Sequence, residues 1–134
     1  MKEPINSSKL PEPVGPYSHG LRVGDFIFTA GQLPMDPKTG RLSGDSIEEQ
    51  TFQVLENVKA ILEAAGATMA DVIKCTVHLS DLSLFQRYNA VYERYFPEPR
   101  PVRTTVGSQL SSGILIDIDV VAYLPRDGNT ANAG

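Results

Sequence analysis

Residues 97–124 read PEPRPVRTTVGSQLSSGILIDIDVVAYL, and the alternation within this stretch decides the fold class. Side chains on a β-strand leave alternate faces. A strand over 114–124 therefore gathers Ile114, Ile116, Ile118, Val120, Ala122 and Leu124 on one face, and Leu115, Asp117, Asp119, Val121 and Tyr123 on the other. Upstream, Val102, Thr104 and Val106 share a parity, while Arg103 and Thr105 point the opposite way. If the two segments pair as neighbours with their apolar sides on one core, Arg103 joins Asp117 and Asp119 on the less apolar face. Such a grouping has two uses. It can be an ion pair, worth about 0–1 kcal/mol when exposed. It can instead form a site for carboxylates, because the planar guanidinium holds both oxygens of a carboxylate at once.

Working outward from this stretch, Ser83 with Gln86 in the capping-box position opens a helix that stops before Pro97. Its stripe is Leu84, Phe85, Tyr88, Val91, Tyr92 and Tyr95, with Asn89 off the centre. Val72–Leu79 reads as a strand, and Cys75 inside it as a small buried hydrophobe. A longer helix begins at Ser46 and Glu49, carries Val54, Leu55, Val58, Ile61, Leu62 and Ala65 on one face, and ends at Gly66. Leu21–Val23 and Phe26–Thr29 flank Gly24-Asp25, a two-residue link suited to a type II′ hairpin. Gly31 marks a bulge or a close approach to the backbone.

The order is ββ-α-β-α-ββ in one domain spanning 1–134, with 1–16 an extended lead-in containing four prolines and 126–134 a frayed tail. Two amphipathic helices can cover one face of a single sheet. The other face mixes Arg103, Thr105, Asp117 and Asp119 with Leu115 and Val121. Burial against other copies of the chain reconciles that mixture, with clefts between copies as candidate sites. Near the first hairpin, Gly15-Pro16-Tyr17-Ser18 describes a tight path that either presents Tyr17 or packs it.

Composition narrows the function. With 12 basic and 16 acidic residues the net charge is −4, and the basic residues are scattered, so a phosphate-neutralising surface for nucleic acid is not expected. No apolar run approaches the length of a membrane span, which points to a cytoplasmic protein. The single cysteine and two histidines show no metal-ligand spacing, and GxGxxG and Walker patterns do not occur. Neither metal nor nucleotide cofactor is expected.

Five stretches taken together are similar to the RidA family, also called YjgF or L-PSP. They are Gly15-Pro16-Tyr17-Ser18, Thr29-Ala30-Gly31-Gln32, Asn57-Val58 ahead of Ala64-Ala65-Gly66, Asn89 with Tyr92, and Pro101-Val102-Arg103 followed by Ile116-Asp117-Ile118-Asp119. The resemblance covers nearly the whole length. It implies a chorismate-mutase-like α+β fold, one sheet with two helices on one face, assembled as a homotrimer with three intersubunit clefts. The implied activity is cofactor-free hydrolysis of reactive 2-imino or 2-enamino acids, such as 2-aminoacrylate, to 2-keto acids and ammonia. This is the chemistry of a 2-iminobutanoate/2-iminopropanoate deaminase. By the same resemblance Arg103 binds the substrate carboxylate, Asp117 holds the attacking water, and Tyr17 reaches in from a neighbouring subunit. Gly31, Ala30, Thr105 and Asn89 line the cleft.

Three positions depart from the family pattern: Asp117 where many members carry Glu, Thr105 where Cys or Ser is common, and Ala30 where some have a hydroxyl. Two other readings stand beside the deaminase. One is a non-catalytic module that binds 2-keto acids or similar carboxylates, and the other is the ribonuclease or translation-inhibitor label that some family members carry.

Overall fold

A computed structural model describes residues 1–10 and 12–126, and the tail expected beyond Arg126 lies outside the described residues. Strands β1 (Lys2–Ile5), β2 (Gly20–Val23), β3 (Phe26–Thr29), β4 (Val72–Leu79), β5 (Val102–Gly107) and β6 (Ile116–Tyr123) form a single sheet. Its order is β1-β2-β3-β6-β4-β5. All neighbours run antiparallel except β4 and β5, which are parallel. Helices α1 (Ile47–Ala64) and α2 (Phe85–Tyr92) complete the α+β fold.

The apolar parity of β6 is observed as expected, with Ile116, Ile118, Val120 and Ala122 all buried. They pack with Cys75, Val77 and Leu79 of β4, Val54, Leu55, Val58 and Leu62 of α1, and Tyr88 and Tyr92 of α2. Both helices therefore cover one face, and full burial of each aliphatic chain contributes about 1.5–3 kcal/mol. The opposite face is open and carries Phe26, Phe28 and Tyr123 as an exposed aromatic cluster.

Local signals hold at two places. Ser46 and Glu49 close the capping box of α1. Gly24 has φ +60° while Asp25 keeps a negative φ, so the β2–β3 link has its left-handed residue in the first position, as a type II′ turn requires.

Three expectations change. The lead-in is not wholly irregular, because Lys2–Ile5 pair with β2 as an edge strand. The α2 start has no side-chain cap of its own; it follows a short 3-10 turn over Leu82–Leu84 that is capped by Asp81, whose carboxylate accepts from the Ser83 amide. Most consequentially, β5 and β6 are not neighbours, since β4 lies between them. A helix joining two strands in one sheet suits a parallel pair, and α2 joins β4 to β5.

Entry into β6 depends on a buried glutamine on the α1 stripe. Gln50 donates to the Gly44 and Gly113 carbonyls at 3.1 and 2.8 Å and accepts from the Leu115 amide at 2.8 Å. Replacing it with alanine leaves three backbone groups without that partner, at about 1–3 kcal/mol for each one that stays buried and unpaired. Gln50→Ala is expected to lose about 3 kcal/mol of stability in urea unfolding, by the same accounting.

Candidate active site

The edge position of β5 decides which way its side chains face. Arg103 stands opposite Cys75 and Thr105 opposite Val77, and both partners are fully buried under the helices. Arg103 and Thr105 thus rise on the helix-covered face. Val102 and Val106 look out from the open one, 67% and 38% exposed. Asp117 and Asp119 stand opposite His78 and Thr76, also on the open face. The expected grouping of Arg103 with Asp117 and Asp119 on one face is therefore incorrect within a single chain. Apolar alternation identifies the core side of a central strand, but an edge strand can turn valines outward when its polar residues find partners on a helix.

Those partners come from α2. Arg103 Nη1 donates to Asn89 Oδ1 at 2.6 Å. The guanidinium carbon lies 4.7 Å from the ring centre of Tyr92, 5.3 Å from Phe85 and 5.6 Å from Tyr88. Positions 85, 88, 89 and 92 fall on one side of the helix, so the stripe that reads as core also makes a π platform for a cation. Among the described residues Arg103 forms no ion pair. Thr105 shares a 2.7 Å hydrogen bond with the Tyr88 hydroxyl. Burial pushes the Cys75 thiol up to about 11 and raises the Tyr88 and Tyr92 hydroxyls as well. All three stay neutral beneath the guanidinium. Asn89, Tyr92, Pro101 and Arg103 line a cleft of about 380 Å³.

The second group lies across the sheet. From Phe28↔Val121 to Gln32↔Ile118 the β3 side advances four residues while β6 advances three, the signature of a bulge. The Thr29 hydroxyl accepts from the Val120 amide there, at 3.0 Å. Gly31 sits in this bulge, and a Cβ on it would overlap the Asp117 carboxylate. The close approach expected at Gly31 is thus made by Asp117. Burial raises the Asp117 carboxyl above its usual range, the charge of His78 offsets this in part, and Asp119 adds to it. Burial raises Asp119 also, opposed by His78 and Lys74.

Tyr17 follows a tight turn in which its amide donates to the Gly15 carbonyl at 2.9 Å. It is 47% exposed and meets His19 edge-on at 5.9 Å. It lines one groove with Phe28 and Ala30 and another with Gly31 and Gln32.

One chain therefore carries two separate groups of candidate residues: Arg103, Asn89 and Thr105 on the helix-covered face, and Asp117 against Gly31 on the other, with Ala30 and Tyr17 in the adjoining grooves. Sequence reasoning missed the π platform and missed His78, which was weighed only as a metal ligand. The spacing of Phe85, Tyr88 and Tyr92 could have revealed the platform once Arg103 was assigned to the helix side. Nothing local announces that His78 faces Asp117.

The family model described as endoribonuclease L-PSP matches residues 7–124. The chain belongs to the L-PSP family. It is similar to a RutC family protein of Pyrococcus horikoshii, 51% identical over 92% of this chain and 98% of that protein. It is also similar to the chloroplastic Reactive Intermediate Deaminase A of Arabidopsis thaliana, 39% identical over 92% of this chain and 66% of that one. Among solved L-PSP-like folds, Escherichia coli TdcF with bound serine superposes with a TM-score of 0.84 at 34% identity, covering 90% of this chain and 98% of that chain. This L-PSP family thus includes a relative named as a deaminase, and among the described residues of this member no helix is long and apolar enough to cross a membrane.

Burial raises the Asp117 carboxyl and so makes its charge destabilising. Its carboxylate is disfavoured in the folded chain, so the stabilising contribution of its neutral form is present below the ordinary aspartate range near 3.9 and is lost as pH rises through the raised value. Asp117→Asn is expected to be more stable than wild type in urea unfolding at pH 7, with the gap closing near pH 3.5.

Proposed function

We propose that this chain hydrolyses 2-imino and 2-enamino acids, such as 2-aminoacrylate, to 2-keto acids and ammonia, in a cleft completed by a second copy. The observation that carries the proposal is Arg103, a guanidinium with no carboxylate partner among the described residues, oriented by Asn89 and backed by three aromatic rings. A group so arranged is prepared for a carboxylate that arrives from outside. Bound serine in TdcF supports a small amino-acid-like ligand for this fold, and the relative named Reactive Intermediate Deaminase A supports imine chemistry.

The mechanism follows from the residues. Arg103 clamps the substrate carboxylate adjacent to the C=N bond. Asp117 is desolvated and hence a stronger base than an exposed aspartate, so it holds the water and takes its proton as oxygen attacks the imine carbon. Tyr17, exposed beside Ala30 and Gly31, can donate to the developing tetrahedral centre. Ammonia then leaves and the carbonyl forms. Because Arg103 and Asp117 occupy opposite faces of one sheet, the cleft takes Arg103 from one copy and Asp117 with Gly31 from another. The open face, with Phe26, Phe28, Tyr123, Val102 and Val106 exposed, provides the apolar surface for a closed assembly such as a homotrimer.

Bound serine in TdcF also favours a second reading, in which the cleft captures a small amino or keto acid without turning it over. A coupled assay that generates 2-iminopropionate separates the two. Wild-type protein is expected to accelerate imine decay, and Arg103→Ala to lose about 10- to 150-fold in kcat/KM, the worth of a charged hydrogen-bonded contact of roughly 1.5–3 kcal/mol. Unchanged turnover in Arg103→Ala would refute the carboxylate clamp. Keto-acid binding without imine decay would establish the binding module.

Sharing of the site is tested by mixing. Arg103→Ala and Asp117→Asn subunits, each strongly impaired alone, are expected to recover about one quarter of wild-type activity after co-refolding at equal amounts, because a cleft built from two copies draws each half independently. Sites contained in one chain would recover none.

A further inference from the structure

One histidine on the open face is left without a role in the mechanism above. His78 stands directly opposite Asp117 across the antiparallel β4–β6 pair, which places the two Cβ atoms about 4.5–5.5 Å apart on the same side of the sheet. Its Nδ1 shares a 2.7 Å hydrogen bond with the Ser108 hydroxyl, just past the end of β5. The Ser108 amide is itself anchored to the Leu79 carbonyl at 2.8 Å, which fixes the hydroxyl relative to the imidazole. Serine, imidazole and carboxylate thus come from the residue after β5, from β4 and from β6, and the carboxylate at their end packs against Gly31.

We propose that His78, held by Ser108, is a positioning residue that backs Asp117 as a proton relay in the hydrolysis. This rests on the deaminase reading and adds a residue to its site. The need is chemical. Addition of water to the imine carbon forms a C–O bond and moves the C=N electron pair onto nitrogen. Water gives up two protons, one to Asp117 as it attacks and one as the C–OH collapses to C=O, and nitrogen must gain both before it leaves as ammonia. The sum is imine plus water to ketone plus ammonia, with no net proton taken up. Asp117 must therefore accept and surrender protons within one turnover. His78 and Asp117 make no direct hydrogen bond or ion pair, so a neighbouring imidazole exchanges a proton with Asp117 through a bridging water, and when cationic it favours the ionised carboxylate. The charged groups around His78 are Asp117 and Asp119 of β6, with Lys74 of its own strand acting on Asp119. Val106, opposite His78 on β5, carries no charge.

The alternative is that the His78–Ser108 bond only ties β4 to the end of β5. Measurements on His78→Gln, which keeps a hydrogen-bonding group for Ser108, separate the two. The relay predicts a fall in kcat of about tenfold with KM within about twofold, since assistance to proton transfer acts on the chemical step. It also predicts that the acid limb of kcat/KM moves to higher pH. His78 lowers the Asp117 carboxyl, so its removal lets that carboxyl rise and the base form is lost sooner on acidification. Ser108→Ala should move both readouts in the same direction by less. Wild-type kcat and an unmoved acid limb in His78→Gln, beside an impaired Arg103→Ala, would overturn the relay and leave the deaminase reading standing.

A readout that needs no substrate covers the other failure. The NMR titration midpoint of the Asp117 carboxyl should rise in His78→Gln, because the group that lowers it is gone. An unchanged midpoint overturns the pairing. Wild-type protein that turns over no imine, with the midpoint shift intact, would overturn the relay's catalytic role through the deaminase reading rather than through the pairing.

Discussion

The insertion of β4 between β5 and β6 is the constraint on which the rest of the molecule depends. β4 is hydrogen-bonded on both sides, antiparallel to β6 and parallel to β5. The parallel pairing requires a crossover, and α2 supplies it. Because α2 lies over the β5 residues that alternate inward, Arg103 meets Asn89 and the rings of Phe85, Tyr88 and Tyr92. The same insertion moves Asp117 one strand away and onto the other face. A pleated sheet admits no intermediate arrangement, since each residue takes one side or the other.

That separation has an energetic consequence. In contact, a guanidinium and a carboxylate would satisfy one another, and neither would be poised for a ligand. Apart, Arg103 rests on an amide oxygen and π faces, partners that orient a cation without neutralising it. Asp117, half-buried beside the Gly31 backbone, retains a raised proton affinity that His78 only partly offsets. Each group is thereby left unneutralised by the other in the single chain. The shorter aspartate side chain fits the same picture, because the β3 bulge brings Gly31 against its carboxylate.

The open face serves the same end. Val102 and Val106 are exposed because β5 is an edge and its inward positions are taken by Arg103 and Thr105. Phe26, Phe28 and Tyr123 extend the apolar surface across the sheet. A contiguous exposed apolar face marks an interaction surface, and the assembly proposed above would cover it.

What the sequence by itself determined is local and periodic. The alternation of Ile116, Ile118, Val120 and Ala122, the capping box at Ser46 and Glu49, the left-handed Gly24 and the two amphipathic helices each depend on neighbours a few residues away, and all are found in the structure. Resemblance named the candidate residues, because short motifs survive in order along the chain. Strand order was decided only by the tertiary structure, since hydrogen-bonded ladders join segments with no mark in sequence of which strand adjoins which. Strand order in turn set the face of Arg103, the facing of His78 and Asp117, and the approach of Asp117 to Gly31. Each of these is a distance across strands, and periodicity within one strand carries no information about it.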